Sequence, residues 1–228
     1  MNVSVRLALP FAGLALTGLQ LPGQAIAARA VMAVPRSSVR LGGVTERVDG
    51  VWAGAALGFD AGRFLFTASG TRGTLTASGT GTVPEQDVGE ISVSGRYAVR
   101  PWLTLDLGYV ARAFSSAAGY QRWDIVGVGA TASRDLGITA VRAFASLAYV
   151  PVVRVSTQER PSFAFGSDVG ISLAPSGLPL SFLLSYRIER FNFPAATARS
   201  EQFEALTLSL GVRARRHAGR WTLGGAGQ

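Results

Sequence analysis

Hydrophobic and polar residues alternate along most of this chain, and the alternation is clearest in residues 102–114. A helical period would place Asp106 beside Leu103 and Leu107 on one face, which makes a poor apolar stripe. Strict alternation is typical of a β-strand with one apolar face. One face carries Leu103, Leu105, Leu107, Tyr109, Ala111 and Ala113, and the other carries Thr104, Asp106, Gly108 and Arg112.

The same period of two recurs from Ser37 onward and predicts ten strands separated by turns. Most of the runs have 9 to 13 residues. A tilted strand needs about 9–11 residues to cross a bilayer, whereas strands of soluble proteins average about 5–6. A soluble β-sandwich would also alternate, but this length favours a transmembrane barrel. The runs are residues 39–48, 51–60, 63–69, 87–99, 102–114, 121–133, 141–149, 163–173, 180–191 and 203–213.

The links between the runs alternate in length, which predicts a topology. The links after the second, fourth, sixth and eighth runs are tight, at residues 60–62, 100–101, 134–137 and 175–177. The links after the third, fifth, seventh and ninth runs are longer, at residues 70–86, 115–120, 151–161 and 192–202. Only the first link, at Asp49 and Gly50, is short where this scheme expects a long one. Short periplasmic turns and longer outer loops are typical of membrane barrels with an even number of antiparallel strands.

The N-terminus has the features of a secretory signal peptide. Arg6 precedes an apolar stretch at residues 7–19, and Ala25 and Ala27 form a small-residue cleavage pattern. A helical membrane anchor is the alternative, but proline and glycine interrupt the stretch. We therefore divide the chain into a signal peptide (residues 1–27), a barrel (residues 28–214) and a basic, glycine-rich periplasmic tail (residues 215–228).

Aromatic residues near the ends of the runs predict two girdles at the level of the lipid headgroups. The turn-side set is Phe59, Phe64, Tyr97 and Trp102, and the loop-side set is Phe114, Tyr120, Trp123, Tyr149, Phe163, Phe191 and Phe203.

Composition narrows the possible partners. The net charge is +8, and all 22 basic residues are arginines, but they are scattered rather than interleaved with stacking aromatics. Together with the export signal, this argues against a nucleic-acid partner. A GC-rich genome explains arginine without lysine, and binding of lipopolysaccharide phosphates by arginines at the membrane rim is the functional alternative. Because the chain has no cysteine, stability must come from packing and backbone pairing.

In architecture, residues 37–213 resemble the small bacterial outer-membrane β-barrels. The resemblance implies an all-β, antiparallel up-and-down transmembrane barrel of about ten strands, located in the outer membrane after export through the secretory pathway. Such proteins usually end at the last strand with an aromatic residue. Here Arg215, Arg216, His217, Arg220 and Trp221 follow the tenth run, which departs from that pattern.

The polar strand faces carry charges that we expect to point into the barrel. Barrels of about eight strands are filled by side chains, whereas open channels have about sixteen. Ten strands with balanced charges favour a filled lumen over a narrow pore. The expected lumen charges are Arg40, Glu46, Glu90, Arg96, Asp106, Arg112, Arg142, Asp168, Arg187 and Glu189.

Enzyme chemistry finds little support in the sequence. His217 is the only histidine, and it follows the last run among arginines. General-base catalysis near neutral pH favours histidine, and omptin-type proteases pair one with aspartate. We therefore expect no catalytic, cofactor-binding or metal-binding residues and interpret the chain as a structural or narrow-pore barrel. A lipid-modifying enzyme and a surface adhesin that uses residues 70–86 are the alternatives.

Overall fold

The computed structural model describes residues 24–78, 84–117, 119–138, 140–156, 159–175, 178–217 and 220–223. Within them, ten long strands form one closed antiparallel sheet. The strands are β1 (Gln24–Leu41), β2 (Val44–Ala61), β3 (Phe64–Ala77), β4 (Gln86–Arg100), β5 (Leu103–Ser116), β6 (Gly119–Asp135), β7 (Val141–Val155), β8 (Phe163–Leu173), β9 (Leu180–Asn192) and β10 (Arg199–His217).

Closure comes from pairing between the first and last long strands. β1 pairs with β10 from Ala25 opposite Arg215 to Leu41 opposite Arg199. All other neighbours in the sheet are neighbours in sequence, so the barrel is of the up-and-down type, as the alternation predicted. A short β11 (Arg220–Leu223) pairs with the end of β10. The described part of the chain contains no helix long and apolar enough to span a membrane.

The prediction of a first turn at Asp49 and Gly50 is wrong. The chain turns at Gly42 and Gly43, whose φ values of 55° and 93° suit glycine. Gly50 lies inside β2, where a Cβ would collide with the carbonyl oxygen of Thr74 on β3. The glycine at position 50 therefore reflects a close approach of two strands rather than a turn.

The strands reach beyond both ends of the predicted barrel segment. β1 begins at Gln24, within the predicted signal peptide, and β10 continues to His217, within the predicted tail. Residues 1–23 lie outside the described residues, so signal cleavage stays a prediction.

The two ends of the barrel differ less in link length than the sequence predicted. One end, here called the loop end, carries the links at residues 42–43, 78–85, 117–118, 156–162 and 193–198. The other, the turn end, carries the links at residues 62–63, 101–102, 136–140 and 174–179. The link after β5 shrinks to two residues because β5 and β6 extend into it. The longest links nevertheless lie at the loop end.

The outward surface has an apolar belt with charges at its borders. The belt consists of exposed side chains such as Met32, Val34, Leu57, Ile91, Val93, Leu105, Leu107, Val128, Leu147, Val169, Ile171, Leu184, Leu206, Leu208 and Leu210. Towards the loop end, the same outward strand phase carries Arg36, Arg40, Arg47, Asp49, Arg72, Asp87, Arg122, Asp124, Arg154, Arg190 and Glu204. We call the second set the charged border.

Candidate functional site

Aromatic and aliphatic side chains fill the lumen near the loop end. Trp52 contacts Phe203 with ring centroids 5.3 Å apart, and Trp123 contacts Phe191 at 4.9 Å. Phe114 packs against both groups and joins them. We call this assembly the aromatic plug, and its principal members are Trp52, Leu75, Val88, Phe114, Trp123, Ile125, Phe191, Phe193 and Phe203.

The plug corrects the predicted loop-side girdle. Four members of the predicted girdle face the lumen: Phe114, Trp123, Phe191 and Phe203. In β5 the even-numbered residues point inward, whereas in β6, β9 and β10 the odd-numbered residues do. Trp123, Phe191 and Phe203 are at most 3% exposed. Tyr120, Tyr149 and Phe163 of the predicted set do lie outward and are exposed, and Tyr109, Phe165 and Tyr186 are further outward aromatics at this level.

Small residues make room for the large rings of the lumen. A Cβ on Gly73 would lie 2.5 Å from Cδ1 of Trp52, so this ring lies over the bare backbone of β3. Gly170 has the same relation to Phe144, whose Cζ would be 2.7 Å from such a Cβ. Glycine within these strands therefore provides space for a neighbouring side chain.

Four charged residues form a closed ion cluster directly beneath the plug. Glu90 and Arg112 are opposite each other on β4 and β5, and their side chains meet at 2.6 Å. Arg112 also reaches across the lumen to Glu189 at 2.8 Å. Arg187 lies 3.0 Å from Glu90 and 3.7 Å from Glu189. Two arginines thus balance two carboxylates, which is the arrangement that buried charges require.

The ion cluster is attached to the plug through an aromatic ring. The Arg112 guanidinium lies 3.7 Å from the centroid of the Phe203 ring, and that of Arg187 lies at 5.4 Å. Arg112 is 2% exposed, and Glu90 and Glu189 are 7% and 8% exposed. Cation–π attraction is strongest where water is excluded, so ring and cluster support each other.

The half of the lumen towards the turn end is more polar. Asp106 lies 3.4 Å from Arg96 and accepts hydrogen bonds from Thr104 at 3.1 Å and from Thr131. Asp168 is paired with Arg187 in the register of β8 and β9, and its Oδ1 has no hydrogen-bond donor within reach.

Three of the expected lumen charges lie apart from this network. Arg40 is exposed and outward-facing beside the Gly42 turn, and Glu46 is exposed on the opposite side of that turn. Arg142 lies at the start of β7 rather than in its middle and binds exposed Asp135 at 2.9 Å. The misplaced first turn caused two of these departures, because it shifted the ends of β1 and β2.

The sequence interpretation missed a second inward pair close to the turn end. Arg213 on β10 binds Asp60 on β2 at 2.9 Å, and Arg29 on β1 faces the same part of the lumen. Asp60 was assigned to a turn and Arg29 to the segment before the first run. In β1, Arg29 and Ala33 lie on one face and Met32 and Val34 lie on the other. This alternation is the signal that could have identified the inward pair.

Comparison with known proteins agrees with this geometry. No family model matches the chain, and no curated protein matches it. The outer-membrane protease OmpT of Escherichia coli superposes with a TM-score of 0.50 at 10% identity, covering 87% of this chain and 98% of OmpT. The fold is that of a bacterial outer-membrane β-barrel.

Two other solved barrels are similar at lower scores. The translocator domain of the autotransporter NalP from Neisseria meningitidis gives a TM-score of 0.49 at 12% identity, covering 82% of this chain and 88% of that one. The Neisserial surface protein NspA gives 0.40 at 13% identity, covering 82% and 96%. At such identities the likeness concerns the fold alone.

The described residues offer few elements of a catalytic site. No group of three or more histidine, cysteine, aspartate or glutamate side chains within them could hold a metal ion. His217 ends β10 at the turn end, opposite Arg220 in the register of β11. Glu90 and Glu189, the two carboxylates of the ion cluster, are both bound by Arg112.

Proposed function

We propose that this protein is an integral barrel of the bacterial outer membrane with a closed lumen and a structural role. It reaches that membrane after export directed by residues 1–27. The observation that carries the proposal is the ion cluster of Glu90, Arg112, Arg187 and Glu189 capped by the aromatic plug, since its contacts cross the lumen from β4 and β5 to β9.

The outer surface supports insertion into a membrane. Leu107 is 58% exposed and Leu147 is 65% exposed, and they belong to a belt of similar residues around the barrel. Exposed apolar surface of this extent marks contact with lipid or with another protein. An outward apolar belt whose residues alternate with lumen-facing residues along the strands is typical of transmembrane barrels.

Tyrosines mark one border of the belt. The hydroxyl of Tyr109 donates to Asp124 at 2.5 Å, and that of Tyr186 donates to Glu204 at 2.6 Å. In both cases the ring lies beside the belt and the hydroxyl reaches the charged border. Tyrosine is enriched at membrane interfaces because one end is apolar and the other polar.

We expect the folded protein to migrate differently on a denaturing gel before and after boiling. Each of the ten long strands is paired on both sides, so the closed ladder resists detergent until it is heated. The protein should also require detergent for extraction from outer-membrane fractions. Solubility in buffer without detergent would refute the membrane assignment.

Leu105→Arg should impair folding into lipid bilayers far more than Thr104→Arg. Leu105 is 52% exposed on the belt, and an arginine near the middle of the bilayer costs about 2–4 kcal/mol. The neighbouring Thr104 faces the lumen and donates to Asp106, which can accept an arginine. The measurement is the free energy of unfolding in vesicles. Equal losses for the two variants would show that the belt does not face lipid.

A further inference from the structure

The charged border is unevenly paired around the barrel. On β3 and β4, Arg72 lies 3.8 Å from Asp87, and on β6 Arg122 lies 2.9 Å from Asp124. Arg154 on β7, opposite Asp124 in the strand register, is exposed and forms no ion pair with any described carboxylate. Four further arginines of the border, Arg36, Arg40, Arg47 and Arg190, are also exposed and form no ion pair with any described carboxylate. We call these four the arginine patch.

The strand register brings the arginine patch together on four adjacent strands. Arg47 on β2 is opposite Ser38 on β1, which is opposite Gln202 on β10, which is opposite Arg190 on β9. Because neighbouring strands are about 4.8 Å apart, Arg47 and Arg190 are about 14 Å apart. Arg36 and Arg40 lie two residues on either side of Ser38, on the same outward face.

Two carboxylates lie within the arginine patch, but both already accept other hydrogen bonds. Glu204 accepts from the Tyr186 hydroxyl at 2.6 Å and from the Gln202 amide at 2.5 Å. Asp49 accepts from the Ser78 hydroxyl at 2.6 Å. The patch therefore has four guanidinium groups and only two carboxylates, so its positive charge is in excess. The guanidinium N–H groups that do not bind these carboxylates can donate to a ligand.

We propose that the arginine patch binds the phosphate groups of a phosphorylated glycolipid in the outer leaflet of the outer membrane. Guanidinium groups match phosphate oxygens with paired donors, and Tyr186 and the apolar belt next to the patch would lie against the acyl chains. The proposal rests on the proposed function, because it needs the belt to lie in the bilayer and the loop end to face outward.

The test is a titration of the folded barrel, in neutral detergent micelles, with diphosphoryl lipid A, followed by native mass spectrometry. The triple variant Arg36→Gln, Arg47→Gln, Arg190→Gln should bind it on the order of 100-fold more weakly, since each arginine near an anionic surface contributes about fivefold. The matched control is Arg72→Gln, Arg122→Gln, Arg154→Gln, which removes the same charge from β3, β6 and β7, outside the patch. This control should keep most of the affinity.

Three results would overturn the assignment. They are absence of lipid A binding by the wild type, equal losses in the two triple variants, or equally tight binding of phosphatidylglycerol. The first result would show that lipid A is not a ligand of the barrel. The second would show that lipid A is attracted by the net charge of the barrel alone, and the third would show that the patch binds any lipid phosphate. Heat-modifiable migration of each variant is measured in parallel. If the wild type showed no heat-modifiable migration, the barrel proposal itself would be refuted. If all variants show it, a change in lipid A binding reflects the arginine patch and not misfolding.

Discussion

Arg112→Ala should destabilise the barrel by about 3–5 kcal/mol, because it removes one partner from a buried ion network. Arg112 is 2% exposed and binds both Glu90 and Glu189. Without it, Arg187 alone faces two carboxylates, and Phe203 loses the guanidinium against its ring. The measurement is the urea midpoint of unfolding in micelles, together with the temperature at which the heat-modifiable gel shift occurs.

The matched control for this prediction is Arg142→Ala. Arg142 also has a carboxylate partner, Asp135, but both side chains are exposed near the turn end. Solvent screens such a pair, so the urea midpoint should stay close to that of the wild type. Arg112→Met offers a second comparison, because it restores apolar volume but not charge. If Arg112→Ala and Arg142→Ala shifted the midpoint equally, the cluster would have no special role in stability.

The alternation of the sequence was sufficient to predict most of the barrel. Nine of the ten predicted runs each coincide with a different strand and extend at most one residue beyond its ends. They reach from residues 51–60 in β2 to residues 203–213 in β10. The period of two depends only on the local geometry of a strand, so it can be recognised in the sequence without knowledge of the fold. The strand number is therefore correct although β1 was almost entirely missed.

The errors arose where glycine or charge interrupted the apolar pattern. Residues 70–77 were interpreted as a loop because they are rich in glycine and threonine, yet they continue β3, and Gly73 is needed there beneath Trp52. The outward charge of Arg154 similarly hid the loop-end part of β7, which continues to Val155. The apolar belt is shorter than the strands, so hydrophobic alternation alone underestimates strand length.

The lumen could be predicted only as a set of inward residues. The phase of each strand placed Glu90, Arg112, Arg187 and Glu189 inside, but the contact between Arg112 and Glu189 joins residues 77 positions apart across the barrel. Such pairs depend on the register around the whole sheet, which no single run contains. For the same reason, the plug rings were assigned to a lipid-facing girdle, since their positions near strand ends fit either side.

The two layers of the lumen lead to a prediction about conductance. Arg96→Ala removes an arginine from the turn-end half of the lumen and Arg187→Ala removes one from the ion cluster, but both leave the aromatic plug in place above them. Removing plug rings with Trp123→Ala and Phe203→Ala leaves the complete ion cluster below, with both Arg112 and Arg187 bound to Glu90 and Glu189. In planar bilayers, each double variant should therefore conduct little, as should the wild type.

The combination of all four substitutions should open a steady conductance, because water can then pass beside Arg112, which no longer has Arg187, Phe203 and Trp123 around it. That path keeps Glu90, Asp106, Asp168 and Glu189, whereas it loses two of the arginines that balance them, so it should prefer cations. The heat-modifiable gel shift of the same samples checks that the quadruple variant is still a folded barrel. A large conductance in the wild type, or in the variant lacking only Arg96 and Arg187, would show that the aromatic plug does not close the lumen.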